Sequence, residues 1–167
     1  YDRCRTIRYV INPRNAPPSG EQLVHEGIAA VAAASGLSFA YGGTTDEEVA
    51  DRRRARFIHR SGEPFPPVLV AWVTPDDNPD FAVQRLAGQA GSTSVEVDDR
   101  RVYLTGEIEL GVRSFDDMLG SGRRDVAAAT VMHEVAHLVG LDHVNDPDQL
   151  MYAENTGRTE LGAGDLA

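Results

Sequence analysis

His133-Glu134-Val135-Ala136-His137-Leu138-Val139-Gly140-Leu141-Asp142-His143 gathers three of the chain's five histidines into eleven residues. His133 and His137 are four apart, so on a helix they stand one turn apart on the same face. Two imidazoles presented in that way can take two corners of a tetrahedral Zn²⁺ site, and Glu134 is placed to act on a bound water. For a third ligand to arrive from another direction the helix has to end. Gly140 supplies that break, because glycine accepts the left-handed conformation that closes helices. His143, three residues on, is within reach as the third ligand.

Working outward, Asp125 is a good N-cap for the helix that carries the histidines, which should run to about Val139. Upstream, Ile7–Asn12 reads as a strand with Ile7, Tyr9 and Ile11 on one face. A Pro- and Asn-rich loop follows. Ser19 and Gln22 then have capping-box spacing for a helix over about Gly20–Ser35, ended by Gly36. Leu37–Tyr41 reads as a second strand. Gly42–Pro67 reads as a long surface connection with a helical turn around Asp46–Arg56. Val68–Thr74 is an apolar run short enough to be a strand buried on both faces. The turn after it holds Asp76, Asp77 and Asp80, whose spacing matches no EF-hand; Ca²⁺ there is possible but unsupported. Leu86–Val97 and Arg101–Leu110 read as two strands joined at Asp98–Asp99, with a bulge or bend near Gly106. Strands and helices in this order give an α/β pattern with one sheet and a single domain over 1–167.

Composition agrees with a soluble globular protein: 41% hydrophobic and 25% charged among 167 residues. The formal net charge of −10 disfavours a general nucleic-acid surface. All sixteen basic residues are Arg, and the cluster Arg52, Arg53, Arg54, Arg56 and Arg60 reads as a solvated connection. No apolar run is long enough to span a bilayer and no signal-peptide pattern is present. The start at Tyr1 leads us to expect a mature or excised piece. Cys4 is the single cysteine, so no disulfide forms within the chain.

After His143 comes a polar loop and then Leu150-Met151-Tyr152. With the extended histidine motif, this resembles the metzincin clan of zinc metallopeptidases, which carries a methionine-bearing turn beneath the metal. The step from His143 to Met151 and the Leu-Met-Tyr wording are most similar to the matrixin branch (matrix metalloproteinase-like), of bacterial type. The resemblance is specific over Asp125–Tyr152. It implies a zincin-like catalytic domain with one twisted mixed sheet of about five strands, two long helices, and a cut-short last helix beginning at Leu161–Leu166. It also implies His133, His137 and His143 as zinc ligands, Glu134 as general base, and Met151 as the floor of the site. An edge strand above the cleft would pair with an extended peptide, and Gly91, Ser92, Thr93, Ser94 and Val95 are the candidates. Tyr152 and Ala153 begin a segment, to Thr156, that would wall the pocket for the side chain after the scissile bond.

The sequence departs from the matrixin pattern in Val144, where Ser is usual, and Ala153, where Pro is usual. The second, structural zinc site of animal matrixins has no counterpart, and the isolated His25 and His59 read as packing or surface residues. Asp142 and Asp146 read as loop acids, with orientation of the ligands as the alternative. Cys4 reads as a free thiol or one paired with a removed segment; Arg3-Cys4 has a faint likeness to the inhibitory Arg-Cys pair of matrixin pro-segments.

The expected function is that of a zinc endopeptidase with one catalytic ion. It would act as a monomer on protein or peptide substrates, in an extracellular or cell-envelope location. Two rivals are an inactive zinc-binding interaction module and a zinc hydrolase of a non-peptide amide. Glu134 argues against the first, since a purely structural site needs no base.

Overall fold

The computed structural model describes residues 1, 5–49, 65–84 and 86–166. In chain order they form β1 (Ile7–Asn12), α1 (Gly20–Ser35), β2 (Phe39–Thr44), β3 (Val68–Val73), α2 (Asp80–Val83), β4 (Gly88–Val97), β5 (Arg100–Gly111), α3 (Val112–Gly120) and α4 (Arg124–Val139). Cys4, His59 and the arginines at 52–60 lie outside the described residues.

β3 is the keystone, because all six of its residues are apolar and all are buried. It lies at the centre of a five-stranded sheet of order β2-β1-β3-β5-β4. β1 runs parallel to both β2 and β3, and β3 parallel to β5. β4 pairs antiparallel with β5 alone, so the sheet is mixed and β4 is an edge. The hairpin between them turns at Asp98 and Asp99, whose φ values are +49° and +59°. Positive φ at both turn residues matches the twist of the flanking strands, which is why Asp is tolerated there.

Alternation along the strands sorts side chains between two faces. Ile7, Tyr9 and Ile11 of β1, Val68, Val70 and Trp72 of β3, and Ile108 and Leu110 of β5 face the helices. There they meet Leu23, Val24, Ile28 and Val31 of α1 and Val131, Val135 and Leu138 of α4. Val10, Leu69 and Ala71 point to the opposite face, with Val49 against them. α1 and α4 touch closely at Gly27: a Cβ there would lie 2.7 Å from Cγ1 of Val131.

Several local expectations change. Ser19 adopts a left-handed conformation and its hydroxyl donates to Pro18 O instead of capping α1. Gln22 turns to Glu26, so the capping box does not form. α4 starts one residue earlier than Asp125, after a turn in which Arg123 N bonds Met118 O. Asp125 is thereby moved into the first helical turn, where its charge still suits the helix dipole. The register of the β4–β5 pair shifts between Thr93 and Ser94, which leaves Leu104 as the extra residue close to the expected bend at Gly106. Residues 46–49 are not helical. α3, with Phe115 and Met118 buried, and the single turn α2 were not foreseen.

Leu161–Leu166 forms a turn where the start of a helix was expected. Gly162 and Gly164 disfavour helix, and Asp165 folds back to accept a hydrogen bond from Gly162 N. His25 is a packing residue: its Nδ1 meets Tyr9 Oη at 2.8 Å and its ring is edge-on to Tyr41. Among the described residues, no helix is long and apolar enough to cross a membrane.

Candidate metal centre and active site

The site is built on the last two turns of α4 and the loop that leaves it. α4 ends in a Schellman arrangement at Gly140, whose φ is +108°. Gly140 N bonds His137 O, and Leu141 N bonds Ala136 O. That reversal lets the chain double back so that His143 faces the two helical histidines. Its position is held by Val144 N donating to Met151 O at 3.0 Å and by Asp142 Oδ1 accepting from His143 N at 2.8 Å.

The three imidazoles converge. Nε2 of His143 lies 3.2 Å from Nε2 of His133 and 3.1 Å from Nε2 of His137. The remaining ring nitrogens of the helical pair face backbone carbonyls. His133 Nδ1 donates to Leu150 O at 2.8 Å, and His137 Nδ1 donates to Leu141 O at 2.9 Å. These bonds fix the tautomer with the proton on Nδ1 and turn both Nε2 lone pairs inward. Burial holds His133 well below the usual imidazole range, at about 4, and lowers His137 as well. Both rings are therefore neutral near pH 7.

With the Nε2 lone pairs of His133 and His137 turned inward toward His143, a cation among the three rings would relieve their mutual repulsion. A tetrahedral zinc site with ordinary Zn–N bonds spaces its ligand nitrogens by about 3.3 Å, close to the spacing found here. The donor set thus fits a divalent ion that favours nitrogen. Among the described residues this is also the one group of three or more His, Cys, Asp or Glu side chains able to hold a metal.

Glu134 follows His133 directly and is 6% exposed. Burial raises its carboxyl to about 8. Its side chain rests against the backbone of β4: a Cβ on Gly88 would lie 2.6 Å from its Oε1. β4 is further tied to α4 by Ser92 Oγ, which donates to Leu138 O. Met151 is fully buried and belongs to the main core, as do Val131, Val135 and Leu138 of α4.

A cleft of about 1100 Å³ runs across the histidines. Its upper wall is β4 from Gly88 to Ser92, with Ser94; its lower wall is Tyr152 to Thr156 with Arg158. Of the expected edge-strand residues, Gly91, Ser92 and Ser94 line it, whereas Thr93 and Val95 lie outside its lining. The wall therefore begins earlier along β4 than the sequence suggested. Tyr152 and Ala153 line the cleft as expected, and Ala129 and Thr130 of α4 add to it. Asp146 serves its own loop, accepting from Asp148 N and Gln149 Nε2. Gly88 and Asp165 were missed by sequence reasoning, because each acts on a residue distant in the chain and carries no periodic signal.

No protein-family model matches the sequence, and no curated protein is recognisably similar to it. Solved structures are. Archaemetzincin from Methanopyrus kandleri superposes with a TM-score of 0.56 over 95% of this chain and 90% of its own, at 12% identity. The chain shares the archaemetzincin fold. Weaker likenesses are a zinc-dependent peptidase from Methanocorpusculum labreanum (TM-score 0.48, 14% identity, 98% of this chain and 100% of that one) and archaemetzincin from Archaeoglobus fulgidus (0.47, 11%, 96% and 98%). The mixed five-stranded sheet and the helices packed on it are the features that match that fold. The matrixin branch gains no support from these likenesses.

Proposed function

We propose that this chain is a zinc-dependent endopeptidase in which His133, His137 and His143 hold one catalytic ion and Glu134 is the general base. The observation that carries the reading is the convergence of three imidazole nitrogens beside a buried carboxyl group, in a cleft walled by β4. A cation held by the histidines would favour the ionised form of that carboxyl group. The three histidines would hold the ion, and three protein ligands are the number that catalytic zinc sites use. Zinc, when bound, lowers the pKa of water and polarises a carbonyl. Glu134, as general base, would accept a proton from the attacking water and pass it to the leaving amine. Its seat against Gly88 excludes bulk solvent from one side, so the proton stays within the site. β4, the sheet edge among the described residues, offers its main chain to an extended peptide, the recognition mode that reads few side chains. Tyr152 to Thr156 then bound the side chain after the cleaved bond. The likeness in fold is to archaemetzincin; only the Leu150-Met151-Tyr152 spacing speaks for the matrixin branch.

The test is casein or peptide-library cleavage with and without chelator. Glu134→Ala is expected to fold and retain one zinc per chain while losing at least about 10²-fold in turnover, as expected for removing a general base. Unchanged turnover refutes the assignment. Loss of zinc together with activity would move Glu134 from base to structural support.

A further inference from the structure

We propose that Asp165 is a positioning residue that sets His133 for metal binding through the Leu150–Met151 peptide group. The inference rests on the zinc reading above.

A peptide unit presents its C=O on one side and its N–H on the other. Leu150 O accepts from His133 Nδ1 at 2.8 Å. On the opposite side, the N–H of Met151 donates to Asp165 Oδ1 at 3.1 Å. One peptide plane therefore joins the carboxylate to the imidazole. Asp165 is 8% exposed, and its Oδ2 also accepts from Leu150 N at 2.9 Å and Gly162 N at 2.7 Å. Three backbone donors from two segments hold one buried carboxylate, so its charge is well satisfied without a cationic partner.

An anion accepting the N–H of an amide polarises the whole group and makes its carbonyl a stronger acceptor. A stronger acceptor at Nδ1 fixes the tautomer and raises the donor power of Nε2. Carboxylates commonly contact metal-bound histidines directly to this end; here the peptide transmits the effect. His137 supplies an internal control. Its Nδ1 meets Leu141 O at 2.9 Å, and among the described residues Asp165 makes no bond to the peptide behind that carbonyl.

The experiment is zinc affinity by chelator competition together with ¹⁵N-histidine NMR of zinc-free and zinc-loaded full chain, for wild type, Asp165→Asn and Asp165→Glu. Asp165→Asn is expected to weaken zinc by about 10- to 100-fold. It should also move the His133 Nδ1–H resonance upfield and speed its exchange, while that of His137 stays in place. Asp165→Glu, which keeps the charge, should recover both properties in part. Wild-type affinity with an unmoved His133 resonance overturns the proposal. So does an equal shift at both histidines, the mark of general loosening. If Asp165→Asn does not fold, Asp165→Glu decides: a His137 resonance displaced as far as that of His133 overturns it. If the wild type itself binds no zinc, the proposed function fails, while the zinc-free His133 resonance still tests the relay.

Discussion

At Gly88 an added methyl carbon would sit 2.6 Å from both Oε1 and Cγ of Glu134, far inside contact distance. Gly88→Ala should therefore swing the carboxylate or lift the start of β4. The expected outcome is a fall in kcat of about 10- to 100-fold, since small displacements of a reacting group cost that much. Zinc content, measured by metal analysis, should stay at the wild-type level. The histidines and Glu134 were legible because their spacing along one helix and past one glycine is the site itself. Gly88 was not, because its importance lies in a side chain it lacks, toward a partner on another element. Asp165 was hidden for a related reason: it looks like any acid in a polar tail until the fold brings Leu150 and Met151 against it.

Among the elements, the α1–α4 contact is a close one that can be tested. Gly27→Val forces a branched side chain onto Val131, and overpacking of this kind costs about 1–3 kcal/mol. A urea midpoint lowered with an unchanged slope would bear this out. The turn from β3 into α2 carries the pH dependence. Asp77 accepts from Thr74 N, Thr74 Oγ1 and Arg14 Nη2, at 2.9, 2.8 and 2.7 Å. Its hydrogen bond from the Thr74 backbone is the chief cause of a carboxyl held below the usual Asp value. A depressed folded pKa contributes stability that is present above the unfolded value of 3.8 and lost as pH falls through the folded one. Asp77→Asn should thus lower stability at pH 7, and the gap to wild type should narrow as pH falls below the unfolded value of 3.8 and through the lower folded one, as read by denaturant titration across that range. Strand and helix positions were legible wherever apolar periodicity was strong, as in β3 and α1. The short α3 was not, because it follows β5 directly with no loop composition to announce it.

For the whole molecule, the zinc reading makes a thermodynamic claim. A ligand at a hundredfold excess over its Kd adds about 2.7 kcal/mol to the folded state. For a chain of this size that raises Tm by roughly 5–10 °C, and chelation should remove the increment reversibly. Trp72 is the single tryptophan, 2% exposed and edge-on to Phe115, so its fluorescence follows the core and not the metal. The chelated protein should keep its native emission at 25 °C while melting earlier. The α/β class and one-sheet architecture were legible from element order, but the strand order was not, since parallel neighbours such as β1 and β3 leave no local trace of their pairing. β4 carries a cost of its own. Among the described residues β4 has a strand neighbour on one side only, so its ten-residue outer edge is equally open to the edge of a second copy. Its Gly, Ser and Thr content makes it a weak template for such stacking, and a net charge of −10 keeps copies apart in dilute buffer. Near the isoelectric point of about 4.8 that repulsion vanishes, and only the strand's own composition then opposes pairing between copies.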